Sequence, residues 1–527
     1  VKRTLICIIS LITVISLNFS IVLSAEETQT TNTGTTYYID SVKGSDFNSG
    51  KSESKPWKSL SKINNTTFLP GDKILFRAGG LWNGQLTPKG SGAEKSPIII
   101  DMYGKGNKPV ISVSYDSSAK VGNKTKQFLG REIGSREEYY IFSLLDQSYW
   151  EVNNLELNGN MEEGCMRGIC IFAEETTVKH VYLKKCFVRN IVGSVEKLHG
   201  GIYYQTIGYE KVSSFNDILI EDNLIMNVNR SGISIDICES KSERITNAVI
   251  RGNFLDTIGG DGIVPKGCIG TLVEYNIAKD CNTVGKYSNV AMWPYNAIDT
   301  LFQFNEAYLT RSMHDGQGFD CDYKCRGTTF QYNYSHDNEG GFMLVCCLGA
   351  EDGSAFNEDI TIRYNISQND HARTFQIAGP IKNCNIYNNT FYLPGGEAVM
   401  PLYGHAWGVG LPKNIVFCNN IIYNNGYGEY QFHSKEDTIY KNNLFYGNHP
   451  KTEPDDPYKI TKDPMLVAPN TGGLGIDTVD GYKLKEGSPA VGAGMIIEDN
   501  GGRDYWGNEV KLDEKPNIGA YNGTCVK

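Results

Sequence analysis

Little in this sequence points to a nucleic-acid-binding, zinc-stapled or helical protein. There is no basic excess: 50 Lys+Arg stand against 60 Asp+Glu, a net charge of −10, and nucleic-acid binding rests on basic surface. Fourteen cysteines are present but no Cys-x-x-Cys pair, which argues against a zinc ribbon or a dense disulfide scaffold. Cys186, Cys321 and Cys418 sit inside apolar strand patterns and read as buried thiols filling small apolar spaces; Cys321/Cys325 and Cys346/Cys347 stay open as disulfide candidates. A single apolar run approaches the ~18 residues needed to span a bilayer. It covers Leu5 to Leu23, after Lys2-Arg3 and before Ser24-Ala25, the pattern of a secretory signal peptide over residues 1–25. The expectation is a secreted, extracellular monomer with no membrane contact after cleavage. Proline is scarce at 18 residues, while Gly 57 and Tyr 31 are plentiful. Asn recurs as Asn-Asn and Tyr-Asn. This suits many short strands joined by turns.

The chain repeats itself. A short apolar segment ending in Asn recurs at Asn154, Asn223, Asn253, Asn276, Asn305, Asn333, Asn365, Asn389, Asn420 and Asn443, with Cys186 in the Asn place once. The steps run from 23 to 37 residues; the shortest give the unit, and the others add a loop. A coil of about 23 residues with three short strands is the unit of a right-handed parallel β-helix, whose neighbouring coils stack into one core. The uneven steps argue against a propeller, which repeats in longer, even blades. The Asn suits a turn needing left-handed backbone, and stacked Asn side chains can hydrogen-bond from coil to coil.

A second strand aligns after each Asn turn, as in Gly232-Ile-Ser-Ile-Asp236, Gly262-Ile-Val-Pro-Lys266, Ala291-Met-Trp-Pro-Tyr295, Gly318-Phe-Asp-Cys-Asp322, Gly341-Phe-Met-Leu-Val345 and Ala398-Val-Met-Pro-Leu402. Its second and fourth places point into the core, and its third and fifth point out. The expected organisation is a signal peptide (1–25), a Thr-rich flexible lead (26–36), an N-terminal cap with first coils (37–112), the β-helix with loop insertions (113–462), and C-terminal coils with a cap (463–527). Residues 113–145 are polar and read as a long loop.

The stretch from Tyr38-Ile-Asp to Val110, with Pro56-Trp57-Lys-Ser-Leu60 and Pro70-Gly-Asp72, and the closing Gly487-Ser-Pro and Asn517-Ile-Gly-Ala segments resemble secreted bacterial proteins of the pectate-lyase-like β-helix superfamily. That resemblance implies an all-β parallel β-helix and a carbohydrate ligand. Members include lyases, glycoside hydrolases, epimerases, esterases and adhesins. The polygalacturonase set of Asn-Thr-Asp, Asp-Asp, Gly-His-Gly and Arg-Ile-Lys is missing.

Chemistry concentrates in His314-Asp315-Gly-Gln-Gly-Phe-Asp320-Cys-Asp322 and, one coil later, Ser335-His336-Asp337. Asp320 and Asp322 point outward with Cα atoms roughly 6.5–7 Å apart. This suits the carboxyl pairs of glycosidases, about 5–9.5 Å apart, in which mutual repulsion keeps one acid protonated. Trp293 and Tyr295 fall one coil earlier, about 4.8 Å away, where an aromatic face stacks on sugar. Lys266 and Asp236 continue the row. The catalytic set is therefore Asp320, Asp322, Asp315, His336 and Asp337, and the substrate-binding set Trp293, Tyr295, Lys266 and Asp236. The first reading is a metal-independent glycoside hydrolase acting on a polysaccharide or oligosaccharide. The alternatives are a polysaccharide lyase, in which Asp236, Asp320 and Asp322 hold calcium and Lys266 is the base, and a non-catalytic carbohydrate-binding adhesin.

Overall fold

The computed structural model describes residues 34–113, 139–162, 165–207, 211–237, 242–312, 314–350, 353–431 and 437–527. The expected signal peptide and most of the expected lead lie outside these residues. Strand Thr36–Ile39 already belongs to the first sheet, paired in parallel with Lys73–Arg77. Among the described residues no helix is long and apolar enough to cross a membrane.

The architecture is a parallel β-helix. One coil shows the plan: Ile245–Arg251 on the first face, Phe254–Ile258 on the second and Ile263–Pro265 on the third. Strands on the first and second faces join sheets of 16 and 13 strands. Inward side chains form columns. Ile220, Ile250, Val273, Phe302, Phe330, Ile362, Ile386 and Phe417 are aligned in register and buried. One coil alone cannot remove such a column from water, so burial itself dictates stacking. The twelve described cysteines are free thiols, and all but Cys525 are buried.

The Asn column forms a ladder that fixes the corner between the first and second faces. Asn305 is typical: its backbone N–H and its amide both donate to Asn333 Oδ1 at 3.0 Å, and the amide also donates to the Val273 carbonyl at 2.9 Å. The pattern runs from Asn223 to Asn443, which donates in turn to Asp456. The left-handed residue, however, is the one before each Asn: Asp222, Gly252, Tyr275, Phe304 and Tyr332 have φ between 53° and 64°. Asn154 occupies that left-handed place (φ 56°), so Leu155, and not Asn154, precedes Cys186 in the column.

Two further expectations are corrected. Within 113–145, residues 114–138 lie outside the described part, but Tyr139–Leu145 is a strand of the third face, paired with Cys165–Ala173. Residues 463–527 add no strand. They run back along the flank, where Leu466, Tyr482, Ile518 and Tyr521 pack against Tyr334, Tyr364 and Ile421. Asp499 and Arg503 carbonyls accept from Tyr387 and Tyr332 hydroxyls. Outward tyrosines on several coils demanded a cover, and the C-terminal chain supplies it.

The third face alone is broken, into sheets of five and four strands. Between them residues 291–295 attach through isolated bridges, Ile263 to Met292, Lys266 to Tyr295 and Met292 to Phe319. Pro265 ends the last strand of the five-stranded sheet and Pro294 lies within the bridging segment; neither carries an N–H, so neither can donate to a ladder.

Candidate active site

A cleft of about 370 Å³ lies over this break. Strand Gln317–Cys321 turns Phe319 and Cys321 into the core and leaves Asp320 and, just beyond its end, Asp322 facing the cleft. The register sets Trp293 beside Asp320, and Leu344, Gln376 and Tyr403 on the far side in the same row. The neighbouring row holds Asp322, Cys346, Ala378 and His405. Asp315 arrives on the loop before the strand and lines the same space.

The carboxyls are crowded. One oxygen each of Asp320 and Asp322 and the Cys346 Sγ lie within 4.8 Å of one another. Cys346 Sγ stands 3.3 Å from Asp322 Oδ1 and 3.9 Å from Asp320 Oδ1. Asp320 is 5% exposed. Burial first, then the charges of Asp322 and Asp315, push it well above the usual carboxylate range. Burial also raises Asp322, to about 6, against the Tyr323 N–H and the Cys346 thiol, which favour its anion. Asp315 is raised by burial against the pull of Arg373. Such a cluster holds at least one proton near neutral pH.

The walls explain the remaining assignments. The Trp293 indole donates to Asp261 Oδ1 at 2.9 Å, and Asp261 Oδ2 pairs with Arg230 at 2.8 Å, both buried. Lys266 lines the cleft and pairs with Asp236 at 3.7 Å. Tyr295 lies edge-on to Tyr323 at 5.2 Å, with the ammonium groups of Lys266 and Lys324 5.9 and 5.7 Å from its ring. Asp315, Asp320, Asp322, Trp293 and Lys266 therefore come together, while Tyr295 and Asp236 support the wall from behind. The calcium set of Asp236, Asp320 and Asp322 is divided, since Asp236 is engaged by Lys266. Among the described residues the group spaced for a cation is Asp320, Asp322 and Cys346, a mixed oxygen–sulfur set unlike calcium's oxygen shell.

His336 and Asp337 are corrected. Strand Tyr334–His336 belongs to the second face. The His336 ring lies between Tyr308 and Tyr334 at 4.7 and 4.5 Å. Its Nδ1 meets Asp337 at 2.7 Å and its Nε2 meets Glu306 at 3.1 Å. Gly475 N–H donates to Glu306 from the covering C-terminal chain. Burial opposes charge on His336, but its bonds to Asp337 and Glu306 outweigh that and raise it to about 9. Closeness in sequence misled here, because the chain turns onto another face between Asp322 and His336.

The cleft positions of Cys346, Tyr403, His405 and Trp407 escaped the sequence reading. Gly341 pairs with Gln317, not Gly318, and Leu402 pairs with Phe375, so Met343, Val345 and Leu402 are core residues. A slip of one residue exchanges the two faces of a strand. The signal for Arg230 and Asp261 was available: both stand just before the Gly that opens an aligned strand, Gly232 and Gly262.

No family model matches the chain. In sequence it is similar to a lacto-N-biosidase of Bifidobacterium longum subsp. longum, 27% identical over 608 residues. The match spans 95% of this chain and 37% of that protein, so the chain covers little more than a third of the length of the relative. The GH136 lacto-N-biosidase of Eubacterium ramulus superimposes with a TM-score of 0.59 at 22% identity, covering 79% of this chain and 68% of that one. XylC in complex with xylose superimposes with a TM-score of 0.51 at 13% identity, covering 93% and 98%. The chain thus shares its parallel β-helix fold with the GH136 lacto-N-biosidase of Eubacterium ramulus and with XylC.

Proposed function

We propose that this chain is a glycoside hydrolase of the lacto-N-biosidase kind, acting on an oligosaccharide bound in the third-face cleft. The observation that carries the reading is the close Asp320/Asp322 pair beside Trp293 on the cleft floor. The sequence similarity to a lacto-N-biosidase along 95% of the chain supports it. Glycoside cleavage needs a proton for the leaving oxygen and a carboxylate facing the anomeric carbon. Asp320, the more deeply buried, keeps its proton and donates it. Asp322, raised only to about 6, is ionised at neutral pH and attacks. One oxygen of each carboxyl lies within 4.8 Å of the other, an approach compatible with the ~5–5.5 Å carboxyl separation of retaining enzymes. The sugar is therefore carried on Asp322 as an ester, and Asp320, now the base, takes a proton from the water that opens it. Trp293 offers its face to the ring.

The test is incubation with an oligosaccharide ending in lacto-N-biose, alongside a panel of plant and microbial glycans, with products read by mass. The expected result is a saturated sugar released with its anomeric configuration retained, insensitive to chelator, and absent with Asp322→Asn. An unsaturated product lost on chelation would instead establish a lyase. Release of nothing from any substrate would reject the hydrolase.

A further inference from the structure

Beside the carboxyl pair, on the adjoining strand, lies a thiol. Strand Gly341–Cys346 ends there, and its alternation puts Val345 and Cys347 into the core while Leu344 and Cys346 face the cleft. The Cys346 Sγ is placed unequally, 3.3 Å from Asp322 and 3.9 Å from Asp320. Burial beside two carboxyls raises the thiol well above its ordinary value, so it remains S–H, a weak donor with one proton to give.

Two carboxyls a few ångströms apart share their protons, and their ionisations belong to the pair. Something asymmetric has to decide which keeps the proton. The surroundings offer few candidates. Tyr323 N–H donates to Asp322 at 2.8 Å from its own strand's exit. Lys197, exposed on another loop, attracts Asp322. Asp315 repels both carboxyls and is itself drawn to Arg373. Leu344 and Ala378, beside the pair on the adjoining strands, are apolar, and the Asp261–Arg230 and Asp236–Lys266 pairs are each internally matched. His405 lies two strands beyond Cys346 and bonds to Gln376 and the Ala406 carbonyl. Among the described residues, Cys346 is the side chain that reaches both members.

We propose that Cys346 is a positioning residue of this hydrolase: its S–H donates to Asp322 and thereby fixes Asp322 as the ionised member of the pair and Asp320 as the protonated one. The assignment rests on the hydrolase reading for its consequence and on the sulfur–oxygen geometry for its cause.

The test compares wild type with Cys346→Ala, Cys346→Val and Cys346→Ser, following kcat/KM and Tm across pH 4–9. Without the donor, Asp322 ionises later. The acid limb of kcat/KM should rise by roughly 0.5–1 pH unit in the Ala and Val variants, with turnover several-fold lower at pH 5 and KM little changed. Ser, which keeps a donor, should return the limb toward wild type. Coincident limbs in all four proteins, or Ser displaced as far as Ala and Val, would overturn the proposal. If the wild type cleaves no substrate, the hydrolase reading fails separately, and Tm carries the test. Folded Asp322 is raised above its unfolded value, so stability falls as pH climbs between the two. Ala and Val should extend that fall to higher pH, and superimposable curves would refute the role of the thiol.

Discussion

Two acidic clusters lie one coil apart in the chain and differ in what balances them. On the third face Asp315, Asp320 and Asp322 crowd one another; Arg373 and Lys197 offset Asp315 and Asp322 only in part, and burial raises all three carboxyls toward their protonated forms. On the second face Glu306 and Asp337 enclose His336, whose ring supplies the positive charge, and the C-terminal chain closes over them. The flank cluster is electrically complete and sealed. The cleft cluster is incomplete and open, which is the condition for proton transfer. Acidic residues alone do not mark a catalytic site; uncompensated ones in a cleft do so far better.

The contrast predicts opposite phenotypes. Asp322→Asn should fold normally and lose ~10²–10⁴-fold in turnover, and Asp320→Asn should do likewise; wild-type rates in both would move the chemistry elsewhere. Glu306→Ala should do the reverse. It removes the buried partner of His336 Nε2 and leaves Asp337 as the counter-charge on Nδ1, at a stability loss of about 1–3 kcal/mol in denaturant unfolding, while kcat at a temperature where the fold persists stays unchanged. A matching loss of activity would erase the distinction drawn between the clusters.

Asn305→Ala, next to Glu306 in the chain but a member of neither cluster, should destabilise by about 1–3 kcal/mol. It leaves the Asn276 N–H and amide without the Oδ1 they share, and turnover should again be spared. Unaltered Tm would show that the rungs carry no net stability.

The smallest effects are in pH dependence. Folded Asp322 stands near 6, above its ordinary 3.8, so the folded state binds the extra proton and stability falls as pH rises between those values. Folded His336 stands near 9, above 6.5; its contribution is full below about 6.5 and is lost as pH rises through 9. Tm should therefore decline as pH rises through both ranges, with Asp320 and Asp315, also raised by burial, adding to the fall. Asp322→Asn should lessen the decline between about 4 and 6, and His336→Gln the decline toward 9. An unaltered decline in these variants would mean that other groups set the profile.

The solenoid was legible because repetition and alternation are local signals. The Asn column, the buried apolar rows and the outward pair Asp320/Asp322 all followed from period and spacing. So did the place of Trp293, because the Ile263–Met292–Phe319 bridges join residues aligned at their Gly or Ala starts. Register across two loops was less legible. The strands at Gly341 and Met400 begin earlier or later than their first small residue suggests, and that hid Cys346 and His405. The flank cover was illegible, since nothing local tells residues 463–527 that they must meet tyrosines more than a hundred positions away.

One consequence of the amide ladder concerns how such a molecule varies. Each rung returns the backbone to the same corner at the same rise, whatever length of chain was spent in between, and intervals from 23 to 32 residues are all accommodated from Asn223 to Asn443. The ladder works as a ruler that leaves loop length uncounted. A segment such as 283–288, whose Ser288 lines the cleft, is free to lengthen, shorten or be exchanged without altering where Trp293, Asp320 and Cys346 stand relative to one another. Substrate choice can drift in the margins while the spacing of the reactive groups is inherited from the corner.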